Sequence, residues 1–137
     1  MHFIEERIYT KLLKLMPDLE NLKKGDAMKS KVPGFMDLTL DILEIEKNYL
    51  KIALSHYYKG IDGDLIPDPD MVIKIVPNIK WASSLTYQDS YIYDEVLVKI
   101  NGETYLNRVL QNKLNKFLNQ WLRNCLAQGH SLKKNSQ

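Results

Sequence analysis

A single cysteine, Cys125, stands among the 137 residues. An internal disulfide is thereby excluded, and the fold has to be held by its core. Such cysteine usage fits a reducing compartment, and Cys125 itself reads as a small buried apolar group. Long apolar runs are also missing, because charges or amides punctuate every hydrophobic stretch, and no window approaches the ~18 residues of a spanning helix. The opening MHFIEERIYTKLLKLM places Glu5, Glu6 and Arg7 where a secretory leader would carry its apolar segment, so a cytoplasmic location without membrane association is expected. The sequence has no G-x-S-x-G elbow, no H-E-x-x-H, no Walker loop and no G-x-G-x-x-G. Three histidines and one cysteine lack the spacing of a zinc site. No catalytic residue, metal ligand or cofactor is therefore assigned, and an enzyme built on these motifs is not expected.

Acidic residues are absent after Glu103, where six bases stand alone. The stretch from Phe35 to Glu103 is the reverse, with twelve acids against six bases, and the net charge of +2 conceals this split. Either the two regions attract each other or a basic face is offered to a partner.

With 45% hydrophobic residues, the chain is long enough for one core and too short for two ordinary domains. Residues 1–130 are expected to form one α+β domain, and 131–137 a flexible polar tail. Phe3, Ile4, Ile8, Leu12, Leu13 and Leu15 or Met16 recur at helical spacing before Pro17. From Met36 the period changes to two, slips in phase at Ile42-Leu43 as a bulge would, and resumes after a Lys47-Asn48 turn through Leu50, Ile52 and Leu54. Gly60 to Pro69 has loop composition. Further strands are expected at Met71–Val76, Trp81–Tyr87 and, more weakly, Glu95–Ile100 before the Asn101-Gly102 turn. A closing helix is read from Thr104 to Ala127, its apolar stripe centred on Phe117, Trp121 and Leu122, and Gly129 ends it. The result is an antiparallel sheet of four to five strands covered on one face by the N-terminal and C-terminal helices.

Three stretches carry a resemblance. LNKFLNQWLRNCLAQGH (114–130) and YTKLLKLMPDL (9–19) resemble the closing and opening signatures of the YqiB-like family of uncharacterised bacterial proteins, and DPDMVIKIVPNIKWASSLTYQ (68–88) is similar to its central strand pair. DGDLIPDPDM with LTYQDSYIY is also similar to a domain of unknown function carried by mobile elements. The resemblance implies a bacterial cytoplasmic protein and supplies no activity or cofactor.

Two constellations hold the candidate chemistry. The first is a pocket at one sheet end, formed by His56, Tyr58, Asp64, Asp68, Tyr87 and Gln88. The acidic loop Asp62 to Asp70 beside His56 has the carboxylate density for a hard cation, but Ile66 and Ile73 occupy positions where an EF-hand needs acids, and an Asp/Pro-rich turn is the simpler reading. The second is the basic face Arg108, Lys113, Lys116 and Arg123, with interleaved asparagines suited to phosphates and bases. Four cations over five turns is also an ordinary solvated face. The preferred function is a non-catalytic binding or regulatory module for an unknown protein partner or small ligand. A metal-dependent enzyme using the acidic loop and a nucleic-acid binder using the basic helix are the alternatives. An exposed sheet edge would also let two copies pair as a homo-oligomer.

Overall fold

A computed structural model describes residues 3–133. The first helix, α1 (Ile4–Leu15), opens where the Glu6 carboxylate accepts the Phe3 N–H at 2.9 Å, and it buries Ile8, Leu12 and Leu15. After a 3-10 turn at Leu19–Asn21 the chain lays down β1 (Ala27–Ser30), β2 (Leu38–Ile45), β3 (Leu50–Lys59), β4 (Leu65–Val76), β5 (Trp81–Gln88) and β6 (Tyr93–Glu95). These six form one antiparallel sheet in sequence order. A separate hairpin, β7 (Leu97–Ile100) with β8 (Glu103–Leu106), leads into α2 (Arg108–Ala127).

The α+β class holds, whereas the strand count is six plus two in place of four to five. β1 lay hidden in a segment whose Lys23-Lys24-Gly25-Asp26 and Pro33-Gly34 read as loop. β4 begins at Leu65, six residues earlier than its β-branched run suggests, so the second half of the expected Gly60–Pro69 loop is strand and a tight turn remains, with Gly60 N–H bonded to Asp64 O at 2.8 Å. The expected fifth strand divides at buried Val96 between two sheets. The phase slip is real: the register between β2 and β3 shifts between Ile42 and Glu44. Asn101 and Gly102, both at positive φ (53° and 83°), close the β7–β8 hairpin as an Asn-Gly pair does in a type I′ turn.

One face of the sheet contributes Leu38, Leu40, Ile42, Ile52, Leu54, Met71, Ile73 and Ile75 to a single core shared with both helices. The helices do not simply lie over the sheet as expected. They pack on each other and both reach the sheet at β5; the start of α1 meets Asn115 and its end lies by Arg123 and Leu126, so the two run in the same general direction. The reason is the edge of β5. Short β6 pairs only with Thr86–Gln88, which leaves the first half of β5 with β4 on one side and no strand on the other. There the Asn115 Oδ1 of α2 accepts Ser84 N–H at 2.8 Å and Gln111 Nε2 donates to Ser84 O at 3.3 Å. The Asn115 amide reaches Glu5 of α1 at 3.5 Å. Side-chain amides on a helix thus finish a strand edge whose backbone groups would otherwise be buried unpaired.

That arrangement rotates α2 away from the expected stripe. Gln111, Asn115 and Asn119, one helical turn apart, are buried with Leu114, Leu118, Trp121, Leu122 and Cys125, while Phe117 is 41% exposed. Phe117 is therefore at the rim of the core. The helix starts at Arg108 because Glu103–Leu106 is strand and Asn107 is the cap, its side chain accepting Leu110 N–H at 3.1 Å. Gly129 (φ 93°) ends it with the paired bonds His130 N–H to Cys125 O and Gly129 N–H to Leu126 O, both 3.1 Å, which turn the chain back onto the domain. Of the expected polar tail, Leu132 is buried and its N–H bonds Leu15 O at 2.8 Å; residues 134–137 lie outside the described residues.

Candidate functional site

Of the first predicted pocket, the structure brings Asp68 near enough to Tyr87 to act on its phenol and does not gather the other residues around them. His56 faces the core: its Nδ1 lies 2.9 Å from Asp37 O, its Nε2 3.9 Å from Cys125 Sγ, and its ring stands edge-on to Trp121 at 5.4 Å. Tyr58, Asp64, Asp68 and Gln88 are exposed. Tyr87 is half-buried against Phe117, ring centroids 5.3 Å apart, and donates to Asp89 at 2.7 Å; burial, aided by that carboxylate, pushes its phenol up to about 12. Strand alternation explains the scatter, since His56 belongs to the inner row of β3 and Gln88, opposite Asp70, to the outer face. Among the described residues, no group of three or more His, Cys, Asp or Glu side chains is arranged to hold a metal ion. Buried Cys125 has its thiol pushed up to about 12 by burial, so it is protonated at neutral pH and a poor nucleophile.

The basic residues of α2 do not act as one face. Lys113 and Lys116 are exposed, Arg108 turns to the β5 side, and Arg123 turns toward α1.

A cavity of about 510 Å3 that the sequence reading did not find opens on the outer side of β5. Its construction follows from register. Lys51 pairs with Lys74 and Lys74 with Ser83, so two ammonium groups and a hydroxyl form a row across three strands. The next outward row brings Val76 opposite Trp81, with Tyr49 just before the Leu50–Ile75 pair. The Tyr49 ring lies under both cations, 4.8 Å from Lys74 Nζ and 5.9 Å from Lys51 Nζ. Trp81 is propped from the far side by Phe3, with ring centroids 5.8 Å apart. Leu85, Leu97 and Leu106 close an apolar wall, and the starts of the two helices add Glu5, Arg108 and Gln111.

Charge in this cavity is mostly positive. Lys51, Lys74 and Arg108 face one lining carboxylate, Glu5, which is only 7% exposed and is held by Asn115. Lys51 also pairs with Glu44 at 3.4 Å, a half-exposed contact of under about 1 kcal/mol that an incoming anion can displace. The signal for this site was in the sequence only as lysines on the polar parity of two strands, where they read as a solvated face; pairing the strands is what gathers them.

Comparison with known proteins places the fold in a family. A family model described as a domain of unknown function (DUF6908) matches residues 7–131. The chain belongs to the DUF6908 family. The match runs from the first turn of α1 past α2, so every residue lining the cavity except Glu5 lies within the DUF6908 domain. No curated protein and no solved structure matches. Nothing in these comparisons bears on the likeness to YqiB-like proteins. No helix among the described residues is long and apolar enough to cross a membrane.

Proposed function

We propose that the chain is a non-catalytic binding module that takes a small planar organic anion in the cavity beside β5. The observation that carries this reading is the convergence there of Lys51, Lys74 and Arg108 with Tyr49 and Trp81. The volume lies within the range of about 300–1,000 Å3 typical of small-ligand sites. A ring can rest on the Tyr49–Val76–Trp81 row while its anionic group meets the Lys51–Lys74–Ser83 row, and Gln111 offers a side-chain amide at the wall. Among the described residues the cavity lining holds no histidine and no thiol, and its single carboxylate, Glu5, is engaged, so no acid–base pair is evident there. The buried thiol of Cys125 fits the reducing bacterial cytoplasm as its location.

Calorimetry with adenosine monophosphate, and with adenosine as the uncharged counterpart, tests this. Binding of the monophosphate is expected, and two half-exposed cation contacts of about 0.7 kcal/mol each predict a roughly tenfold loss in the Lys51→Gln/Lys74→Gln variant. Adenosine should bind both forms alike. Absence of monophosphate binding, or equal affinity for wild type and variant, would refute the reading.

A further inference from the structure

A second basic feature lies on the helices, away from the sheet. Arg7, Lys11 and Lys14 recur along one side of α1 at spacings of four and three, so they form a stripe about 10 Å long. Arg123 of α2 faces that stripe across a groove of about 430 Å3 whose floor includes Leu126. Among the described residues Glu6 is the one carboxylate lining it, and that side chain accepts the Phe3 N–H. Thr10 donates its hydroxyl to Glu6 O. Cations brought together from two helices repel one another, and Lys11 feels this directly. Its ammonium is pushed below the usual lysine range, first by burial and then by Arg123, Arg7 and Lys14. Core packing of Ile8, Leu12 and Leu15 does not require basic residues on the adjacent stripe. Four cations line the groove against the one carboxylate of Glu6, and this positive excess raises the local concentration of anions.

We propose that the α1–α2 groove is a binding site for consecutive phosphates, held by Lys11 and Arg123 with Arg7 and Lys14 at its two ends. Multiple phosphates are specified over a single one because the four cations are distributed along two turns. Among the described residues the lining has no aromatic ring on which a base could stack, so recognition is of the phosphates. Such a run is supplied by an inorganic polyphosphate or by a nucleic-acid backbone. The site is separate from the β5 cavity and does not depend on the reading given for it.

The test titrates the full chain at low salt with tripolyphosphate, with a ten-residue oligothymidylate and with orthophosphate. Lys11→Gln/Arg123→Gln and, as control, Lys51→Gln/Lys74→Gln are compared. Tripolyphosphate or the oligonucleotide should bind, orthophosphate at least tenfold more weakly. The groove variant should lose tenfold or more while the control keeps its affinity, and tighter binding of one of the two chains identifies the source. Without ligand, the melting temperature of Lys11→Gln at low salt should equal or exceed that of wild type, because a repulsion is removed. No binding by either chain, binding undiminished in the groove variant, or a lower melting temperature for Lys11→Gln would each overturn the proposal.

Discussion

Replacing Asn115 by leucine removes the closure of β5 while nearly preserving volume. The Ser84 amide then loses an acceptor at 2.8 Å in a place where both residues are wholly buried, and water cannot substitute. A buried backbone N–H left unpaired costs about 1–3 kcal/mol, and Glu5 loses its 3.5 Å amide contact as well. The near-equal size of the side chains keeps any cavity contribution small. We expect a loss of about 2–3 kcal/mol, or roughly 6–10 °C in melting temperature for a domain of this size. Gln111→Leu should cost about 1 kcal/mol or less, since its bond to Ser84 O is longer, at 3.3 Å, and Gln111 is at the cavity wall. Urea titration followed by tryptophan fluorescence measures both, and an unchanged slope would show that the folded and unfolded states keep their exposure. If Asn115→Leu shifts stability by less than about 0.5 kcal/mol, or Gln111→Leu costs more, the edge-closure argument is wrong.

Acid should weaken the fold through His130. Its ring is buried, its Nδ1 is 2.9 Å from Ser30 Oγ, and His56 stands 5.8 Å away. Burial first, and then His56, hold its pKa below the usual histidine value, against opposing effects of the Met36 carbonyl and Asp37. The unfolded chain therefore takes up the proton first; this contribution is complete above about pH 6.5 and is lost as pH falls toward the lower folded value. Urea midpoints measured from pH 8 to 5 should decline, and less steeply in His130→Gln. In the core, Trp121→Ala should cost about 3–5 kcal/mol and Phe117→Ala much less, with equal losses in urea titrations counting against the observed rotation of α2.

Period-two alternation made β2 and β3 legible, including the bulge, because each strand has one wet face. The same rule failed at β4, where Asp68, Pro69 and Asp70 carry turn chemistry inside a strand that β3 holds by register. Helical periodicity located α2 but not its rotation. Asn115 read as a polar-face residue, and the open edge of β5 explains its burial and that of Gln111. His56 was placed correctly on β3, yet its partners come from segments 19 to 74 residues away, which local pattern does not encode. The β5 cavity was illegible for a related reason. Lys51, Lys74, Ser83 and Trp81 become neighbours only through two strand registers.

A 15N-resolved titration with adenosine monophosphate tests the central claim most directly, because the two indoles report from opposite sides of the sheet. Trp81 lines the β5 cavity, and Trp121 stands beside His56 in the core. Saturable shifts are expected at the Trp81 indole and at the backbone of Lys51, Lys74 and Ser83, with Trp121 unmoved. Shifts confined to the His56–Tyr58 end of β3, or none at Trp81, would contradict it.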